Sequence, residues 1–229
     1  MSTGSFASLN LGEFSGDEPE RVRRNWSILL ESRGFSVRSP VLPRLCHGAA
    51  LVEAFPDTPL AEPADAVFTH SRGLVLAVTT ADCLAALIAD PATGCVAAVH
   101  AGWRGTRGNI LGRTLTHLFA AGHCRPETTV VALGPCLSPA ALELGEELAA
   151  TLPAAHLYRD LTSNLGRPHF DLRGCNRAQA IAAGVRPASL TETGGCTREN
   201  PDQFFSYRRA QADGSGVTGR MAACITLSS

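Results

Sequence analysis

Lysine is missing altogether: the 20 basic residues of this 229-residue chain are all arginine. Schiff-base catalysis by a lysine amine and phosphate binding by a P-loop lysine are thereby excluded, while planar guanidinium recognition of phosphate or carboxylate stays open. A skewed genome composition produces the same bias without a functional cause. Charge excess of either sign is also lacking, since 21 acidic residues leave a net charge of -1. No basic field is available for nucleic acid or an anionic membrane surface, so a small-molecule partner is expected. No run is apolar for long enough to span a bilayer, and the first residues lack the basic region and apolar segment of a signal peptide. A cytoplasmic location is the expectation. Close cysteine pairs are absent too: the 8 cysteines are scattered singly, which argues for reduced, mostly buried thiols rather than a disulfide framework.

What is present, 45% hydrophobic and 18% charged residues, suffices for one domain over residues 1–229. Phe6 to Gly12 reads as a short strand, and Asp17 as the cap of a helix with Val22, Trp26, Leu29 and Leu30 on one face and Gly34 behind it. Val41 to Leu45 and Ala49 to Phe55 read as a strand pair broken at His47. Asp65 to Thr69 and Leu74 to Thr79 read as strands, and Cys83 to Ala89 with Cys95 to Ala101 as a hairpin of buried strands. Helical spacing runs from Thr106 to Ala121, and further helices are expected at about Glu143 to Leu152 and after an Asp171 cap through Ile181. Val130 to Leu133, Ser189 to Glu192, Phe204 to Arg208 and Met221 to Leu227 complete the strands, with Gln211 to Thr218 as a surface hairpin loop. Helices and strands interleave without strict βαβ alternation, which predicts an α/β chain of α+β type with a central mixed sheet packed by helices.

Cys83 and His100 fall where two apolar runs meet polar or glycine-rich sequence, as an active site on strand ends requires. Adding His47 gives two imidazoles and a thiolate, the ligand set of a catalytic zinc that keeps a fourth position for water or substrate. The three are too far apart in sequence to form a local metal motif. The same set matches the equatorial ligands of a blue-copper centre, but methionine is limited to Met1 and Met221, and 7 histidines do not furnish a multicopper cluster. A third reading makes Cys83 a nucleophile with His100 as its base; a fourth leaves Cys83 as core filling. Arg104 lies between two glycines near a predicted helix start, a setting that suits phosphate or equally a carboxylate partner such as Asp82.

Several words of this sequence resemble the laccase-domain family: SLNLG at 8–12, the GD of Gly16 and Asp17, HG at 47–48, TTADC at 79–83, VAAVHAGWRG at 96–105, LGP at 133–135, CT at 196–197, FFSYRR at 204–209 and TGRM at 218–221. Members of that family were first called multicopper polyphenol oxidases and are now regarded as purine nucleoside phosphorylases that also deaminate adenosine. The resemblance implies the cysteine-hydrolase-like fold of that family, with zinc held by His47, Cys83 and His100, which thereby become the catalytic residues. It further implies phosphate and a purine nucleoside (adenosine, inosine, guanosine or methylthioadenosine) as substrates. Contacts to them are assigned to Arg104, Arg44, Asn10 and Arg208 by nearness to these words. A monomer or homodimer is expected. One relative is described as a peptidoglycan editing factor, so a thiol hydrolase acting on cell-wall precursors is the alternative, with copper oxidase or a non-catalytic binding module beyond it. Leu45 and Cys46 replace a usual Gln-Val before the first histidine, Ala85 replaces a frequent proline, and Arg198 replaces an aromatic.

Overall fold

Alternation of side chains along the strands decides how the layers stack. The computed structural model describes residues 1–35, 40–60, 62–159 and 166–228. Helix α1 (Pro19–Ser32) is followed by strands β1 (Leu51–Glu53), β2 (Ala66–Thr69), β3 (Val75–Thr80), β4 (Leu84–Asp90) and β5 (Cys95–Ala101). Next come helices α2 (Trp103–Arg107) and α3 (Ile110–Ala120), strand β6 (Val130–Leu133) and the one-turn helix α4 (Glu146–Ala149). The chain closes with β7 (Leu157–Arg159), β8 (Pro168–Phe170), α5 (Leu172–Ala182), β9 (Leu190–Glu192), α6 (Tyr207–Ala212) and β10 (Met221–Thr226). No helix among the described residues is long and apolar enough to cross a membrane.

Six strands form the central mixed sheet in the order β1-β2-β5-β4-β6-β9, with parallel pairs at both edges and antiparallel pairs between. On β5, Cys95, Ala97, Val99 and Ala101 pack against Leu111, Leu115 and Leu118 of α3 and Leu172 of α5. Val96 and Ala98 point to the opposite face, where Leu76 and Val78 of the antiparallel β3–β10 pair cover them. Helix α1 closes the far side of that pair with Val22 and Trp26 against Leu11 and Ala77. Four layers result. Because side chains alternate along a strand, His100 shares the face of Val96 and Ala98 and enters the space between the two sheets.

Several expectations are corrected. Residues 6–12 form no strand: a 3-10 turn at Gly4–Phe6 leads into irregular chain, whose Leu11 N–H donates to Arg220 O while the Asn10 side chain takes the Gly12 N–H. Asp17 is not the cap of α1, which begins at Pro19, where a missing N–H costs nothing; its carboxylate instead accepts from Ser2, Asn10 and the Glu18 N–H. Between Val41 and Leu45 only Val41 bridges to Leu76, since Pro43 has no N–H to extend a ladder. The helix expected over 106–121 is two helices, α2 and α3, interrupted at Asn109 in the left-handed region (φ 57). The helix at 143–152 shrinks to α4. Phe204 to Arg208 is not a strand, because Ser206 accepts the Arg209 N–H and starts α6 in its place. That helix also takes the first part of the loop expected at 211–218. Asp171 does cap α5, accepting from Gly174 N–H at 2.8 Å.

Candidate metal centre

The hairpin register builds the floor of the site. Leu84 pairs with Ala101 and Ala85 with His100, so one step further Cys83 comes to lie beside Gly102. A Cβ on Gly102 would stand 3.0 Å from Cys83 Sγ and 3.2 Å from His47 Cδ2, so a side chain there would crowd two of the three groups and glycine lets them approach freely. The candidate ligand atoms of His47, Cys83 and His100 all lie within 4.8 Å of one another. The two imidazole rings meet edge to face, with centroids 4.9 Å apart.

Asp65, at the entrance to β2, arranges two of these three. Its buried carboxylate accepts from His100 Nδ1 (2.8 Å), from the backbone N–H groups of Cys46, His47 and Gly48, and from Cys46 Sγ. Three successive amides wrapped on one carboxylate make an anion-binding nest, and they hold His47 in the left-handed region at φ 58. A carboxylate at Nδ1 keeps the proton there, so Nε2 of His100 is the nitrogen left to face Cys83 and His47. This carboxylate–histidine arrangement orients and strengthens imidazole ligands in metal sites, and with a thiolate it is a donor set that suits zinc. Burial opposes the ionised form of Asp65, but these hydrogen bonds and the nearby His100 charge hold its carboxyl far below the usual carboxylate range.

Charge is paired across the site. Burial alone would push the Cys83 thiol up, yet the His100 charge and hydrogen bonds from His100 and His47 bring it down to about 6. Burial likewise disfavours a charged His100, but the Cys83 thiolate and Asp65 raise it to about 9. Metal-stripped protein therefore holds a thiolate–imidazolium pair near neutrality. Its alkylation by iodoacetamide, followed at Cys83 by peptide mapping, is expected to rise with pH through a midpoint of about 6. A midpoint near that of an ordinary thiol, about 8.5, would show that no such pair forms.

Above this floor opens a cavity of about 820 Å³, lined by Leu11 to Ser15, Arg44, Trp103, Arg104, Tyr207, Arg208 and Arg220, among others. Of the residues expected at the substrate, Arg44, Arg104 and Arg208 line it. Arg104 lies within α2 rather than ahead of a helix, stacks over the Trp103 ring at 4.2 Å and makes no ion pair with Asp82. Asn10, the fourth, does not line the cavity: it is fully buried behind the wall, where its oxygen accepts the Gly12 and Arg220 N–H groups and its amide donates to Ser15, at 2.8 Å, and to Asp17. Asp82 has the unusual φ of 99 and is held by Thr197 Oγ1 and the Arg208 N–H, each at 2.6 Å. Sequence reasoning missed Asp65 and Arg220 as parts of the site, and placed Gly102 beside Arg104 without seeing that it makes room for the three donors. The only signal for Asp65 was an isolated acid ahead of an apolar run, which reads equally as a strand start. All eight cysteines are free thiols, five of them buried.

The family described as multi-copper polyphenol oxidoreductase laccase matches residues 1–228 of the chain. A Deinococcus radiodurans protein named purine nucleoside phosphorylase is 39% identical over 227 residues, spanning 99% of this chain and 85% of that one. A protein of an unknown prokaryotic organism named adenosine deaminase RL5 is 33% identical over 222 residues, 90% of this chain and 83% of its own. Among solved structures, YlmD from Geobacillus stearothermophilus is similar with a TM-score of 0.88 at 32% identity, covering 99% of this chain and 87% of that one. Matched along nearly its whole length in both sequence and fold, the chain belongs to the multi-copper polyphenol oxidoreductase laccase family.

Proposed function

We propose that this chain is a purine nucleoside phosphorylase that also deaminates adenosine, with zinc held by His47, Cys83 and His100. The observation that carries the reading is the convergence of two imidazoles and a low-pKa thiol at the floor of an arginine-lined cavity large enough for a nucleoside and phosphate. The activities named for the relatives point the same way. Zinc is favoured over copper because no second cluster of three such donors occurs among the described residues, and multicopper oxidation needs several metal centres.

In phosphorolysis, a phosphate oxygen forms a bond to the anomeric ribose carbon as the bond from that carbon to the base nitrogen breaks. The base leaves with the bonding pair and gains the proton that phosphate loses, so inosine yields hypoxanthine and ribose 1-phosphate. The guanidinium groups around the cavity hold the phosphate and offset its charge, while Leu11, Leu42 and Leu137 keep bulk water from the anomeric carbon. Trp103 and Tyr207 offer flat apolar surface to a purine. Asp65 fixes the His100 ring so that Nε2 meets the ligand position without reorganisation. When bound, zinc supplies a Lewis acid and a water acidic enough to deprotonate near neutral pH, which suits replacement of the adenosine amine by water with loss of ammonia.

Purified protein is expected to contain about one zinc per chain and to convert inosine to hypoxanthine and ribose 1-phosphate only when phosphate is added. Hypoxanthine release independent of phosphate, or none at all, sinks the phosphorylase reading. One observation favours a second reading: Cys83, His100 and Asp65 form a thiol–imidazole–carboxylate chain of the kind that activates a cysteine nucleophile. A thiol hydrolase of that type acts without metal, so activity that survives complete metal removal selects it.

A further inference from the structure

Arg220 is the cavity arginine that sequence reasoning passed over, and the structure gives it the most fixed setting of the four. Arg44 and Arg104 are exposed at the rim, whereas Arg208 and Arg220 are half-buried. Arg208 spends one donor on Glu143 O. Arg220 is tied down from several directions: its backbone N–H donates to Asn10 Oδ1, its carbonyl accepts from Leu11 N–H, and its Nη1 donates to Thr218 O and Gly219 O at 2.9 and 3.0 Å. Its aliphatic stem lies against Gly12, where a Cβ would come within 2.5 Å of it, so the glycine is what allows the loop to close over the side chain.

What remains free is the informative part. No acceptor among the described residues takes Nε or Nη2 of Arg220, no carboxylate among them pairs with it, neither nitrogen is a fully buried orphan, and the residue lines the cavity. Burial works against its charge, and the neighbouring Cys83 and Asp82 charges only partly compensate. Asp82 is already engaged by Thr197 and the Arg208 N–H. A fixed guanidinium whose Nε and Nη2 edge is unpartnered presents the fork geometry that two oxygens of a tetrahedral oxyanion accept side by side.

We propose that Arg220 is the anchoring ligand for the phosphate co-substrate, binding two of its oxygens through Nε and Nη2, and that Asn10 and Gly12 act through Arg220 by holding its backbone and stem. The assignment rests on the phosphorylase reading for the identity of the anion, but not for its existence. It also gives Asn10 a physical role: a positioning residue one shell removed from the ligand.

The test is calorimetric titration of purified protein with inorganic phosphate, alongside KM values for phosphate and inosine. Arg220→Met keeps the stem beside Gly12 and removes the charge; it is expected to weaken phosphate binding about tenfold or more, which is the scale of a hydrogen-bonded charge. Its KM for phosphate rises more than its KM for inosine. Arg220→Lys, a point charge without the fork, recovers only part of the loss. Wild-type affinity for phosphate in Arg220→Met, or no phosphate binding by the wild type, overturns the proposal. Should circular dichroism show Arg220→Met unfolded, the decision passes to Arg220→Lys, whose phosphate affinity must still fall. Phosphate binding that depends on Arg220 in a protein that never cleaves inosine upholds the anion site and defeats the phosphorylase reading.

Discussion

Asp65→Ala is expected to cost about 3–5 kcal/mol of folding stability, the scale for removing one partner of a buried ion pair. Five hydrogen bonds end on that carboxylate, from His100, Cys46 (twice), His47 and Gly48. Without it the backbone donors of the 46–48 turn lose their acceptor, and His47 has no reason to stay at positive φ. His100 is 3% exposed and is left as a buried imidazole with no carboxylate at Nδ1. Urea unfolding followed by circular dichroism measures the loss, and a change below about 1 kcal/mol, an ordinary surface effect, refutes the central role given to this residue. Metal affinity should fall in parallel by about 10–100-fold, the usual cost of losing a group that orients a metal-binding histidine.

The second large effect is expected from Cys83→Ala. The fold should survive, because Cys83 is only partly buried at the mouth of the hairpin and alanine is smaller. Stoichiometric metal should be lost, and with it several kcal/mol of transition-state stabilisation, equivalent to at least about a thousandfold in rate. Elemental analysis and product assays on one preparation read both quantities. Retained metal together with lost turnover would instead mark the thiol as a nucleophile, and retention of both would remove Cys83 from the site.

Local pattern was enough for the parts of this fold that local pattern controls. The buried hairpin was legible because seven-residue apolar strands flank an Asp-Pro turn: the observed β5 has the expected bounds and β4 is shifted by one residue. The Asp171 cap and α5 were legible for the same reason. Errors arose where one hydrogen bond outweighs periodicity. Apolar spacing runs unbroken from 106 to 121, yet Asn109 adopts a left-handed conformation and splits the helix. The residues around Phe204 alternate like a strand, yet the Ser206 hydroxyl starts a helix there. The three donors came together through family resemblance, since nothing local joins His47 to Cys83. Asp65 and Arg220 stayed hidden because their importance lies in partners supplied by distant segments: the 46–48 turn for one, the Asn10–Gly12 stretch for the other.

The antiparallel pairing of β3 with β10 sets Val75 beside Thr226 and Thr80 beside Met221. That contact spans most of the chain, so it closes late as the protein emerges from the ribosome, well after the segment holding His47, Cys83 and His100 has been made. Arg220 arrives with β10, and the Arg208 amide that secures Asp82 arrives only shortly before it. Assembly thus separates in time what the finished molecule holds within one cavity. The His47, Cys83 and His100 floor and the rim arginines Arg44 and Arg104 belong to the early chain, and Arg208 and Arg220 complete the wall after them.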